Sequence, residues 1–145
     1  MPGPAARTPG GPLRAGILGA GMIATAEPGY LPGLRRLRGR VEVTAIASRT
    51  RSRAERVARD WDIPAVCDGL GAMLARPDVD AVINLTPIAA HYETSLRILS
   101  AGKHLVTEKP LASAARARHV LEIMLAAQNA AATGRTVPLT TTFEP

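Results

Sequence analysis

The stretch LRAGILGAGMIA, residues 13–24, decides the fold. It predicts a short apolar strand that runs into Gly19-Ala20-Gly21-Met22-Ile23-Ala24, a G-x-G-x-x-A turn opening a helix. The two glycines allow a tight turn and a close approach of the backbone, and the small Ala24 lets the helix pack on the strand. Free N–H groups at such a helix start favour an anion. We therefore expect a pyrophosphate here, bound by Gly19, Gly21, Met22 and Ile23; a tight turn without a ligand is the alternative.

Beyond this turn, strand-like and helical segments alternate along the chain. The strand-like segments lie at 41–47, 63–66, 80–85, 104–107 and 136–143, and the helices between them include a long alanine-rich one at about 113–132. Six strands alternating with helices predict an α/β fold, a doubly wound parallel sheet of the Rossmann type. We expect residues 13–145 to form a single domain and residues 1–12, rich in proline and glycine, to form a flexible arm.

Composition narrows the class of protein further. No run of about 18 apolar residues exists, and the N-terminus carries no apolar leader, so neither a membrane span nor a signal peptide is expected. The single cysteine, Cys67, excludes an internal disulfide, predicts a buried thiol and suits a cytoplasmic protein. The net charge of +6 invites a nucleic-acid hypothesis, but aromatic residues make up only 3% and the arginines are scattered. We therefore expect no nucleic-acid partner, and no residue spacing predicts a metal site.

The end of the second predicted strand bears on the choice of cofactor. An acidic residue there would bind the adenosine ribose of NAD, but this chain has Ser48 and Arg49, with Arg53 one turn further on. Without a carboxylate to repel a 2′-phosphate, and with a guanidinium able to grip it, NADP is favoured over NAD. The alternative is that Arg49 only opens a solvated helix.

Three further motifs resemble one family. They are TPIAAH at 86–91, AGKH at 101–104 and EKP at 108–110, in that order after the glycine turn. Together they resemble the N-terminal half of the glucose–fructose oxidoreductase and inositol dehydrogenase family, often written Gfo/Idh/MocA, over residues 13–132. The resemblance implies an NAD(P)-dependent oxidoreductase that passes hydride between a nicotinamide and a sugar, cyclitol or related hydroxyl or carbonyl substrate.

The resemblance also assigns roles to residues after the fourth and fifth strands. It places Lys109 beside the nicotinamide and the substrate as the catalytic residue, and Thr86 and Pro87 beside the nicotinamide ribose. As a cation, Lys109 can position a substrate oxygen and stabilise an alkoxide. The remaining residues expected at the cofactor are His91, Glu108 and Pro110. For His91 a purely backbone-bonded role is an equal alternative.

The chain also differs from the family pattern. Family members continue into a C-terminal substrate domain that supplies an acid–histidine pair opposite the lysine, and we expect this chain to lack it. Three hypotheses follow: a fragment of a dehydrogenase, a small subunit that needs a partner chain, or a non-catalytic NADP-binding module. A sheet edge left uncovered by a second domain would also favour a homodimer.

Overall fold

The computed structural model describes residues 10–110, 118, 122, 125, 126, 129, 130 and 132–140. The strands are β1 (Leu13–Leu18), β2 (Val41–Ala47), β3 (Ala65–Cys67), β4 (Ala81–Asn84) and β5 (His104–Thr107). The helices are α1 (Met22–Thr25), α2 (Tyr30–Arg36), α3 (Arg51–Asp60), α4 (Leu70–Leu74) and α5 (Ile88–Ser100).

All strand pairs are parallel, and the sheet order is β3-β2-β1-β4-β5. The chain builds outward from β1 through β2 to β3, then crosses to the other side of β1 for β4 and β5. The direction in which strands are added therefore reverses between β1 and β4, and ligands bind at this point in sheets of this kind. The predicted doubly wound α/β fold is confirmed.

Alternating side chains of the central strands bury both faces of the sheet. Ile17, Ile46 and Ile83 point into one apolar cluster, which α2 and α3 cover. Their strand neighbours Leu18 and Val82 point into the opposite cluster, which α4 and α5 cover. Because neither face meets water, these strands are almost continuously apolar, as parallel strands require.

Several element boundaries differ from those predicted. The helical pattern predicted after the first strand, through Leu31, Leu34 and Leu37 to Gly39, is interrupted, because Pro28 and Gly29 separate α1 from α2. The third strand lies at Ala65–Cys67, slightly later than predicted. The sixth strand was predicted at 136–143, but residues 136–140 form no strand, and 141–143 lie outside the described residues.

The structure describes only part of the two chain ends for which predictions were made. Those residues of 113–132 that the structure describes are helical, and the others lie outside its described part, as do residues 1–9 of the predicted arm. Among the helices that the structure describes, none combines the length and hydropathy needed to cross a membrane.

Candidate functional site at the carboxyl end of the sheet

Each predicted site residue lies at or just beyond the carboxyl end of a strand or on the helix that follows it. The sheet order places them in a row: Arg49 after β2, the glycine turn after β1, Thr86 after β4 and Lys109 after β5. Three inter-strand spacings of roughly 4.8 Å separate β2 from β5, about 14 Å in all. A row of that length suits an extended dinucleotide.

The first glycine of the turn is required by the protein itself. Gly19 has φ +118°, and a Cβ added there would lie 2.5 Å from the backbone oxygen of Leu85. Its N–H donates to the Ala47 carbonyl at 2.8 Å, which ties the turn to the end of β2. The backbones of the β1 and β4 ends therefore approach so closely that only glycine fits.

The second glycine serves no such internal need. Gly21 has φ −87°, which any residue can adopt, and a Cβ there would meet nothing within 4 Å. Within the described part of the chain, the N–H groups of Gly21, Met22 and Ile23 donate no hydrogen bond. The turn thus offers open space lined by unused donors, which suits the pyrophosphate of a dinucleotide.

Three arginines follow β2, and they differ in their partners. Arg51 contacts two carboxylates, Glu55 at 2.9 Å and Asp68. Arg49 and Arg53 are exposed and form no ion pair among the residues that the structure describes. Ser48 is half-buried beside them. Two guanidinium groups therefore remain available to an external anion at this end of the row.

A fully buried asparagine fixes the loop after β4. The Oδ1 atom of Asn84 accepts hydrogen bonds from Thr86 Oγ1 at 2.8 Å and from the Thr86 N–H at 3.3 Å. Its amide Nδ2 donates to Thr94 Oγ1 at 2.7 Å and to Ser95 Oγ at 3.1 Å. Asn84 thereby holds Thr86, and Pro87 after it, against the start of α5.

His91 lies on α5 between two loops. Its Nε2 is 2.6 Å from the Thr86 carbonyl and its Nδ1 is 2.7 Å from the Pro110 carbonyl. The residue is only 2% exposed. Both ring nitrogens thus face backbone oxygens of the chain itself.

The loop after β5 carries Glu108, Lys109 and Pro110. Glu108 Oε1 accepts a hydrogen bond from the Tyr30 hydroxyl at 2.9 Å. Burial, and then the hydrogen bond to this carboxylate, raise the pKa of Tyr30. Lys109 is exposed and makes no hydrogen bond or ion pair within the described residues. The Lys109–Pro110 peptide bond is cis.

Sequence reasoning missed two members of this site. Asn84 carried a signal, since it is a polar residue at the end of a strand that is otherwise buried and apolar. Tyr30 carried none, because it lies in the segment that lengthens the first connection and meets Glu108 only in the folded chain.

Two other chemistries receive no support from the geometry. Burial raises the pKa of the Cys67 thiol, which keeps it protonated and disfavours it as a nucleophile. Across the described residues, no group of three His, Cys, Asp or Glu side chains is placed to hold a metal ion.

Comparison with known proteins finds oxidoreductases among the relatives of this chain. The dTDP-3,4-didehydro-2,6-dideoxy-alpha-D-glucose 3-reductase of Actinomadura kijaniata is 43% identical over 100 residues, 69% of this chain and 29% of that protein. The scyllo-inositol 2-dehydrogenase (NADP(+)) IolW of Bacillus subtilis is 31% identical over 110 residues, 76% of this chain and 29% of the relative.

A solved structure agrees with these relatives. The crystal structure of KijD10, a 3-ketoreductase from Actinomadura kijaniata in complex with NADP and TDP-benzene, superposes with a TM-score of 0.64 at 40% identity. The match covers 72% of this chain and 31% of KijD10. The chain therefore spans about a third of the length of the relatives it matches. The model of the Gfo/Idh/MocA oxidoreductase family, described as an NAD-binding Rossmann fold, matches residues 13–135, and the chain belongs to this family.

Proposed function

We propose that this chain is the NADP-binding part of an oxidoreductase that transfers hydride between a nicotinamide and a hydroxyl or carbonyl carbon of a sugar, cyclitol or related substrate. The observation that carries the proposal is the row of four sites along one sheet edge. It begins with unpaired arginines, continues through a glycine turn with unused N–H groups, and ends at an unpaired lysine. That order matches a dinucleotide laid from its adenosine end to its nicotinamide end.

In this proposal the adenosine half is bound near β1 and β2. Gly19, Gly21, Met22 and Ile23 form the pyrophosphate cradle. Ser48, Arg49 and Arg53 bind the 2′-phosphate, because charge-assisted bidentate hydrogen bonds from a guanidinium match a phosphate group. Arg51 is excluded from this role because Glu55 and Asp68 already engage it.

The nicotinamide half is bound near β4 and β5. Thr86 and Pro87, held by Asn84, would line its ribose, and Glu108 and Pro110 would border it. The bound cofactor supplies or accepts the hydride. Lys109 would donate a hydrogen bond to the substrate oxygen and stabilise the negative charge that develops on it. Because Tyr30 occupies Glu108 Oε1, the second carboxylate oxygen is left for the cofactor ribose or for Lys109.

The substrate class and the compartment are further parts of the proposal. Relatives named for a deoxysugar nucleotide and for an inositol support a substrate of the sugar or cyclitol class. The free, buried thiol of Cys67 supports a reducing compartment, the cytoplasm.

Cofactor binding is the step that tests this proposal directly. We would titrate the chain with NADPH and with NADH, following the fluorescence of the reduced nicotinamide. NADPH should bind more tightly. Arg49→Ala should weaken NADPH binding by about tenfold or more, since a hydrogen bond to a charged group contributes roughly 1.5–3 kcal/mol, and should leave NADH within about twofold.

Arg51→Ala is the matched control, because it removes the same charge from the same segment at a residue already paired with carboxylates. It should change neither affinity. If neither cofactor binds at millimolar concentration, the proposed function is wrong. Equal losses of NADPH and NADH in Arg49→Ala would contradict the 2′-phosphate assignment alone.

A further inference from the structure

We propose that His91 is a positioning residue, which joins the loop after β4 to the loop after β5 and thereby sets Lys109 against the nicotinamide. The inference rests on the proposed function, because it concerns the nicotinamide half of the same site. It assigns His91 a different task from direct contact with the cofactor.

The first support for this role is that the pairing of β4 with β5 ends before Thr86 and Pro110. The last residue pair of the β4–β5 ladder is Asn84 with Thr107. The one backbone hydrogen bond just beyond it, from the Glu108 N–H to the Asn84 carbonyl, is long at 3.4 Å. Thr86 and Pro110 lie further out, so the sheet itself does not hold them together.

The imidazole bridges this gap. Its nitrogens lie 2.6 Å from the Thr86 carbonyl and 2.7 Å from the Pro110 carbonyl, and both distances are short for hydrogen bonds of this kind. Either neutral tautomer donates to one carbonyl, and the protonated ring donates to both. Pro110 directly follows Lys109, so the ring fixes the backbone next to the lysine.

The second support is the burial of the ring. His91 is 2% exposed, and both of its polar atoms are already used within the chain. A ligand in the site would have no ring nitrogen to contact. The effect of His91 on a cofactor must therefore pass through the two loops that it joins.

The inference can be tested with two ligands. NADPH spans the whole row of sites, whereas 2′,5′-ADP carries the adenosine half and the 2′-phosphate but no nicotinamide. His91→Phe keeps a ring of similar size and removes both ring nitrogens. It should weaken NADPH by about tenfold, roughly the effect of one lost hydrogen bond, and leave 2′,5′-ADP within about twofold.

A second pair of variants covers the case in which His91→Phe does not fold. The amide nitrogen of Asn lies near the position of Nδ1, and that of Gln lies near the position of Nε2. His91→Asn can therefore keep the contact to Pro110, whereas His91→Gln can keep only the contact to Thr86. Neither variant can join both loops, so we expect both to weaken NADPH binding and to leave 2′,5′-ADP within about twofold.

Ile98→Ala is the matched control on the same helix. Ile98 is fully buried in the cluster under α5 and touches neither loop carbonyl, so its loss lowers stability without changing the ratio of the two affinities. The inference is overturned if wild-type chain binds both ligands while the His91 variants weaken both equally or neither. Wild-type chain that binds neither ligand overturns the proposed function instead.

Discussion

The amino and carboxyl ends of the sheet differ in whether their charged and polar groups have partners within the chain. At the amino end, Arg14 donates through Nε and Nη2 to both carboxylate oxygens of Asp80, at 2.9 and 2.5 Å. Lys103, 7% exposed, donates to the carbonyls of Val79 at 2.7 Å and Arg76 at 3.1 Å. Both of these charged groups find their partners inside the chain.

The carboxyl end leaves comparable groups without partners. Arg49 and Lys109 form no ion pair in the described part of the structure, and the N–H groups of Gly21, Met22 and Ile23 donate to nothing there. Side-chain hydrogen bonds at this end, through Asn84, His91 and Tyr30, hold loops in place and leave those groups free.

Groups that are paired within the chain affect stability, whereas groups left unpaired are available for binding. Arg14 and Lys103 at the amino end stabilise the fold, since each is hydrogen-bonded within the chain. In the proposed function, Arg49, Lys109 and the N–H groups of the glycine turn gain partners only when a ligand binds. Substitutions at the amino end should therefore change the free energy of unfolding, and those at the carboxyl end should change affinity.

Gly19 is the exception at the carboxyl end, and it gives the largest expected effect. Gly19→Ala places a Cβ 2.5 Å from the Leu85 oxygen at φ +118°. We expect the free energy of unfolding to fall by roughly 3 kcal/mol or more, because clash and backbone strain act together. Urea denaturation followed by circular dichroism measures it.

Gly21→Ala makes the same chemical change two residues later, and its effect on stability should be far smaller. Its Cβ meets no protein atom, so stability should stay within about 0.5 kcal/mol of wild type. NADPH affinity should nevertheless fall at least tenfold, since the methyl group would occupy the proposed cradle. Stable protein with unchanged affinity would contradict the placement of the pyrophosphate.

Lys103→Met, at the amino end of the sheet, should have the next largest effect on the free energy of unfolding. Methionine can fill the space of the aliphatic stem but leaves the Val79 and Arg76 carbonyls without their donor. The free energy of unfolding should fall by about 2 kcal/mol. The NADPH dissociation constant, measured where the variant is folded, should change less than twofold. A large loss of affinity with little loss of stability would reverse the contrast between the two ends.

The sequence was informative about this contrast where the signals are local. Apolar runs predicted the parallel strands, and residues just after such a run lie at the carboxyl end of the sheet. Arg49, Thr86 and Lys109 could therefore be placed along one edge from the sequence alone.

The contacts between distant parts of the chain could not be predicted in the same way. Hydrophobic periodicity says nothing about which hydroxyl meets Glu108, or that His91 bridges Thr86 and Pro110. Helical periodicity did not reveal the break at 26–29, because the leucines that carry it, Leu31, Leu34 and Leu37, all lie after the break. The three-residue β3 is too short for its pattern to fix a boundary.

The smallest expected effect is on the free energy of unfolding at acidic pH. Hydrogen bonds from Arg76 Nε and Nη2 to Asp78, at 2.9 and 2.7 Å, hold the pKa of Asp78 below its ordinary value of 3.8. A carboxyl whose pKa is lower in the folded chain contributes stability above the unfolded pKa and loses it as pH falls through the folded one. The pair is partly exposed, so the contribution is under about 1 kcal/mol.

Asp78→Asn should therefore lower the free energy of unfolding by a constant amount between pH 5 and 7, and the difference from wild type should shrink below about pH 4. Urea titrations at each pH measure that difference. A difference that stays constant down to pH 3 would show that the ion pair contributes nothing. Affinity for NADPH at pH 7 should be the same in both proteins, because Asp78 lies at the amino end, where Thr44 donates to its carbonyl and its carboxylate already has a partner.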